Sequence, residues 1–162
     1  MHDGTLIHDQ RNELFTRTSM KEEKHMIGLG AVPGEDVLRS QPQQPAIWVV
    51  DDNEHFANAL ASFIDQLTGA RRTTCFDSAE GAIAKLESGT NPPGVILMDV
   101  EMPGMNGLDA LAAVKHLAPG CRIYMVTGAE STHRRRIAIE RGANDYLLKL
   151  DISREKLLEI IA

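Results

Sequence analysis

Hydrophobic positions along this chain change their rhythm at about residue 46. Before that point charges are scattered and no apolar period is sustained. Beyond it, short apolar runs alternate with amphipathic stretches. Ala46-Ile-Trp-Val-Val50 is a continuous apolar run, the pattern of a strand buried on both faces. Phe56, Leu60, Phe63, Ile64 and Leu67 recur at helical spacing and predict an amphipathic helix over 54–67, ended by Gly69. Residues 72–76 are β-prone. Asp77 and Glu80 have capping-box spacing and predict a helix from there to about Glu87. After the turn Asn91-Pro-Pro-Gly94, Val95-Ile-Leu-Met98 predicts a second fully apolar strand, ending at Asp99. Helix over 108–117, closed by Pro119-Gly120, strand over 122–126, a weakly apolar helix over 131–141, strand over 146–148 and helix over 153–161 complete the pattern.

Five strands, each followed by a helix, imply βαβ units and an α/β fold with a parallel sheet covered on both faces. Right-handed crossovers leave few topologies. Residues 1–45 read instead as an N-terminal extension, disordered or loosely structured. It holds a marginal helix over 13–26 and closes on the linker-like Ser40-Gln41-Pro42-Gln43-Gln44-Pro45.

Composition narrows the picture modestly. The chain has 162 residues and a formal net charge of −6, which suits one domain with a tail and argues against direct nucleic-acid binding by bulk charge. No apolar stretch approaches a membrane span and no signal-peptide pattern opens the chain, so no membrane partner and a cytoplasmic location are expected. The two cysteines, Cys75 and Cys121, have no zinc spacing and read as buried thiols in a reducing compartment.

The chemistry lies at the predicted strand ends. The first strand ends in Asp51-Asp52, the third in Asp99, the fourth in Thr127-Gly128 and the fifth in Lys149. Sites on open parallel sheets form at those carboxyl ends, near the point where strand order reverses. Three converging carboxylates repel unless a cation intervenes, and an all-oxygen set suits Mg²⁺. Adding Lys149 makes a site suited to a dianion such as a phosphoryl group. Asp99 can act as nucleophile, Thr127 can donate to a phosphoryl oxygen, and Mg²⁺ with Lys149 can offset charge during in-line transfer.

The segments WVVDDNE, VILMDVEMPGMNG, IYMVTGA and GANDYLLK, in that order, resemble the CheY-like receiver domain of two-component response regulators over residues 46–162. The resemblance implies a doubly wound five-stranded parallel sheet of order 2-1-3-4-5, flavodoxin-like or CheY-like. It implies a signalling switch, not an enzyme. Such a switch catalyses its own phosphorylation and its own dephosphorylation. The phosphoryl donor would be the phosphohistidine of a histidine kinase or histidine phosphotransfer protein. By position, Asp99 corresponds to the phosphoacceptor. Asp52 and Asp99 correspond to direct Mg²⁺ ligands, Asp51 to a ligand through water, and Glu101 to a backbone-carbonyl ligand whose side chain tunes phosphate lifetime. Lys149 would pair with Asp99 and then with the phosphate, Thr127 would move toward it, and Tyr146 would swing inward behind Thr127. Pro103 and Gly107 match the turn after the phosphoacceptor. The implied strand order also keeps Cys75 and Cys121 apart.

One departure stands out. The family usually has a cis proline after the site lysine, where this chain has Leu150. A cis bond to a non-proline residue costs about 2.5–4 kcal/mol, so the loop after Lys149 is expected to be re-aimed or strained. The last helix is also short, with Leu157, Leu158, Ile160 and Ile161 at its end.

Arg134-Arg135-Arg136 reads as a solvated helix face before it reads as a nucleic-acid patch. His116 and His133 read as solvent-exposed. Gly28-Leu-Gly30 lacks the buried strand that a dinucleotide loop requires. The haloacid-dehalogenase type of Asp enzyme places a second Asp two residues on, where this chain has Glu101. The reading is therefore a receiver that switches a protein-interaction face toward an unidentified downstream protein, with a homodimer admissible. Its alternatives are a fragment of a longer DNA-binding regulator and a degenerate receiver used only as a scaffold.

Overall fold

The computed structural model describes residues 45–70 and 72–162. Apart from Pro45, the expected extension over 1–45, its marginal helix and the Gly28–Gly30 segment lie outside the described residues. From Ile47 onward strands and helices alternate: β1 (Ile47–Val50), α1 (Glu54–Thr68), β2 (Thr73–Phe76), α2 (Ala79–Glu87), β3 (Val95–Asp99), α3 (Gly107–Leu117), β4 (Arg122–Thr127), α4 (Thr132–Glu140), β5 (Asp145–Leu148) and α5 (Arg154–Ile161). All strand pairs are parallel, in the order β2-β1-β3-β4-β5. The expected doubly wound sheet is the one observed.

Strand side chains alternate between two cores, as a period of two requires. Trp48, Val50, Ile96, Met98, Ile123 and Met125 face one layer, which α2, α3 and α4 cover through residues such as Ala82, Leu111 and Ala138. Ile47, Val49, Val95, Leu97 and Val126 face the other, which α1 and α5 cover through Leu60, Ile64, Leu157 and Ile160. Every residue of β1 and β3 is buried, which is why both read as unbroken apolar runs. From β1 the chain steps to β2 on one side and then to β3 on the other. The strand order therefore reverses between β1 and β3, the two strands that lead to Asp51 and Asp99.

Several local expectations need correction. The Asp77–Glu80 capping box does not form. Ser78 is the N-cap and its Oγ accepts from the Gly81 N–H. The helix starts one residue later than the spacing suggested, so Gly81, without a side chain, occupies the third helical position that a capping-box Glu needs. Glu80 instead accepts from the Met105 N–H at 2.9 Å. Cys75 is half-buried rather than buried, because β2 is an edge strand; both cysteines are free. Burial pushes the Cys121 thiol up to about 11. On α1, Phe63 points outward, 37% exposed. At the end of α5, Leu157 and Ile160 are buried while Leu158 is exposed. Arg134 and Arg135 are not simply solvated, since both make ion pairs to other elements. Arg136, His116 and His133 are exposed as expected.

Candidate functional site

The reversal between β1 and β3 sets Asp51, Asp52 and Asp99 side by side. One carboxylate oxygen from each lies within 4.8 Å of the others. Asp51 and Asp99 are buried at 2% and 5% exposure, whereas Asp52 is exposed. The donor set is entirely anionic oxygen, the chemistry that a hard divalent cation requires. Asp99 ends β3, in register with Val126 of β4.

Lys149 enters from the end of β5. Its Nζ donates to Asp99 Oδ2 at 3.0 Å and lies 2.7 Å from Asp51 Oδ2. Leu150 does not disturb this. Residues Lys149–Asp151 form a single 3₁₀ turn that leaves Leu150 93% exposed while the lysine stem runs inward. The Phe56 ring of α1 lies 4.6 Å from the same ammonium, a favourable cation–π placement. Sequence reasoning missed both the Asp51 contact and Phe56.

Main-chain donors complete the carboxylates' partners. Asp51 Oδ1 accepts from the Asn53 N–H at 2.9 Å, and Asp99 Oδ1 accepts from the Glu101 N–H at 3.2 Å. Burial pushes the Asp99 carboxyl above its usual range; Asp51 adds to this, and the bonds from Lys149 and Glu101 work against it. Burial pulls the Lys149 ammonium down, but its bonds to Asp51 and Asp99 outweigh that and its pKa is raised.

Thr127 is fully buried at the end of β4. Its hydroxyl donates to the Ala129 carbonyl at 3.2 Å and accepts from the Ala129 N–H at 3.3 Å, so its hydrogen bonds are local here. Tyr146 is buried at 2% exposure, and its hydroxyl has no partner among the described residues.

Gly107 is more than a turn residue. It is the first residue of α3, and a Cβ there would sit 2.0 Å from the Asp99 carbonyl oxygen. Pro103 is exposed in the preceding loop. That loop is held from two sides. Glu80 of α2 takes the Met105 N–H, and Arg134 of α4 pairs with the Glu101 carboxylate. Neither tether was foreseen. A cavity of about 470 Å³ opens beside it, lined by Val100, Met102, Pro103 and Leu108 among others.

The chain matches the family described as "Response regulator receiver domain" over residues 47–162. Among curated proteins, it is 35% identical to the DNA-binding transcriptional regulator NtrC of Salmonella typhimurium over 108 residues, 66% of this chain and 22% of that protein. It is 32% identical to the photosynthetic apparatus regulatory protein RegA of Cereibacter sphaeroides over 116 residues, 71% of this chain and 60% of that one. The matched segment thus spans less than two thirds of each of these relatives' lengths. Among solved structures, a response regulator protein from Burkholderia pseudomallei with a phosphorylated aspartic acid, calcium ion and citrate superposes with a TM-score of 0.65 at 27% identity, covering 73% of this chain and 66% of that one. A CheY-like receiver domain protein from Methanospirillum hungatei gives 0.62 at 27% identity, covering 71% and 88%.

Proposed function

Since this chain belongs to the response regulator receiver family, we propose that Asp99 is its phosphoacceptor. The observation that carries this is the convergence of Asp51, Asp52, Asp99 and Lys149 in one pocket at the strand-order reversal. In the proposed reaction an Asp99 oxygen attacks the phosphorus of a phosphohistidine on a histidine kinase or phosphotransfer protein. The P–N bond breaks as the P–O bond forms, and the electron pair leaves with the imidazole.

The residues fit Mg²⁺. Asp52, Asp99 and the Glu101 carbonyl would hold it directly, with Asp51 nearby. When bound, Mg²⁺ supplies positive charge to the phosphoryl oxygens. Lys149, already on Asp99, shifts to the new dianion. Thr127 breaks its local bonds to Ala129 and donates to a phosphoryl oxygen, drawing the β4–α4 loop inward. Tyr146, buried on the neighbouring strand β5, favours that arrangement. α4 fully buries only Ala138, with Ile137 partly buried against the same core, so little apolar contact opposes its displacement. A downstream protein that prefers one arrangement of the face built by α4, β5 and α5 reads the signal. Water later attacks the acyl phosphate and resets the switch. This cycle belongs in the cytoplasm, and among the described residues no helix is long and apolar enough to cross a membrane.

Incubation with acetyl phosphate and Mg²⁺ tests the proposal. A mass gain of one phosphoryl group, absent in Asp99→Asn, is expected. No gain would leave the scaffold reading in its place. The greater length of the curated relatives supports a second reading, in which this receiver controls an output domain of a longer regulator. The mass of the protein in its native source separates the two.

A further inference from the structure

Lys149 is placed by its partners more than by its own segment. The 3₁₀ turn Lys149–Asp151 has no buried residue and no side-chain cap bond, and Leu150 is 93% exposed. The bracing comes from α1. Asp51 Oδ2 lies 2.7 Å from the Lys149 ammonium, while Asp51 Oδ1 accepts from the Asn53 N–H at 2.9 Å. Asn53 caps α1, and its Oδ1 accepts from the Phe56 N–H at 3.1 Å. One chain of bonds therefore runs from the carboxylate that holds the cation to the residue whose ring lies 4.6 Å from it. Phe56 is half-buried and packs on the core layer that α1 and α5 share, so its ring is fixed from behind. The face of an aromatic ring is negative and attracts a cation at this distance. An aliphatic side chain of similar size would shield the ammonium from water without attracting it.

Resting on the reading of Asp99 as phosphoacceptor, we propose that Phe56 is a positioning residue whose ring face keeps the Lys149 ammonium between Asp51 and Asp99, and so sets how fast Asp99 takes a phosphoryl group. The ammonium donates to Asp99 Oδ2 at 3.0 Å, beside the place where charge builds on the phosphoryl oxygens. A lysine stem is long and flexible. Holding it in place beforehand removes an ordering cost from the transition state, and a charge aimed in advance needs no rearrangement as the reaction proceeds. The effect of the ring passes entirely through Lys149. Weakening the charge on its face should therefore slow transfer while the carboxylates keep their hold on Mg²⁺.

The test labels the full chain with radioactive acetyl phosphate in saturating Mg²⁺. An Asp99 oxygen attacks phosphorus as the bond to acetate breaks, and the electron pair leaves with the acetate. Mono-, di- and trifluorinated phenylalanine placed at Phe56 drain the ring face of charge with little change of shape. Labelling should slow stepwise along that series, by roughly three- to ten-fold at its end. Phe56→Leu should match the trifluorinated ring, and the fluorinated series keeps the test usable if the leucine variant is unstable. Mg²⁺ affinity, read by calorimetry, should not fall. In urea the trifluorinated ring should lower the unfolding midpoint of the wild-type chain and leave that of Lys149→Met unmoved, because the cation it served is gone. The same ring at Phe63, which lies on α1 at 37% exposure, is the control and should label at the wild-type rate. The inference is overturned if the series at Phe56 labels at the wild-type rate, or if the ring at Phe63 slows labelling equally. It is also overturned if Mg²⁺ affinity falls in step with the rate, or if the midpoint shift persists in Lys149→Met. A wild-type chain that takes no label would overturn the phosphoacceptor reading instead, and the urea midpoints would still decide whether Phe56 holds Lys149.

Discussion

Lys149 and Asp51 approach to 2.7 Å, and the same ammonium lies 3.0 Å from Asp99. One cation thus bridges two buried carboxylates that come from different strand ends. Its third neighbour is the face of Phe56, 4.6 Å away. Without phosphate, Lys149 is therefore an internal counter-ion that keeps an anionic pocket foldable. In the proposed phosphoryl transfer it is then available to the new charge.

Lys149→Met should separate these roles. Removing the cation leaves Asp51 and Asp99 facing each other unpaired, so the metal-free protein should lose of order 2 kcal/mol of stability. Added Mg²⁺ should recover part of that loss, while acetyl phosphate labelling of Asp99 stays strongly reduced. Urea unfolding with and without Mg²⁺ reads the first effect and intact mass the second. A variant as stable as wild type without metal would contradict the counter-ion role.

Asp99→Asn should act in the opposite direction. Burial raises the Asp99 pKa, so its charged form is disfavoured by the fold. For an acid raised in this way, stability falls as pH climbs from the ordinary 3.8 to the raised value and stays reduced at neutral pH. The asparagine variant should therefore unfold at a higher temperature than wild type in chelator at pH 7. Mg²⁺ should reverse the ranking. At about 100 times its Kd, a ligand bound only by the folded state adds roughly 2.7 kcal/mol, and the variant should lose most of that gain. Asp52→Asn should lose it as well.

How much of this the sequence disclosed depends on what each feature rests on. β1 and β3 were legible because burial on both faces demands unbroken apolar runs, and both runs end in acids. Order and spacing then placed Asp51, Asp52, Asp99, Thr127 and Lys149 at one sheet edge. What stayed hidden depends on side-chain reach between elements. The Glu80 contact with the Met105 N–H, the Arg134 pair with Glu101 and the Phe56 ring beside Lys149 each join residues more than 20 positions apart, with no periodic signal between them. Leu150 is a different case. Its departure from proline suggested a re-aimed or strained loop after Lys149, and that loop is a 3₁₀ turn that places the leucine outward while Lys149 still reaches Asp99.

Gly107→Ala should be costly for a geometric reason. A Cβ at this position meets the Asp99 carbonyl oxygen at 2.0 Å and the Met125 Cε at 2.9 Å. The methionine tip can move, but the strand backbone cannot without shifting Asp99, the proposed phosphoacceptor. A loss of at least 1–3 kcal/mol, in the range of overpacked cores, is expected in urea unfolding. Labelling of whatever remains folded should be slower than wild type. Gly120→Ala, which meets nothing within 4 Å, is the control and should be near neutral.

Asp145 carries a pH dependence that is separate from the site. Partial burial works to raise its carboxyl, but the Tyr146 N–H, Lys156 and Arg135 outweigh that and hold it below the usual 3.8. Those contacts fix the start of β5 to α4 and to α5, through Arg135 at 3.1 Å and Lys156 at 3.3 Å. A lowered acid stabilises the fold above its unfolded pKa and loses that contribution as pH falls through the folded value. Asp145→Asn should therefore be less stable than wild type at pH 7, by about 1 kcal/mol once the partial exposure of its partners is allowed for. Below the ordinary carboxylate range the difference should shrink toward zero, because both proteins are then neutral at this position. Urea midpoints at pH 7, 5 and 3 follow it directly. A gap that stays constant across that range would mean that the carboxylate's charge plays no part in anchoring β5.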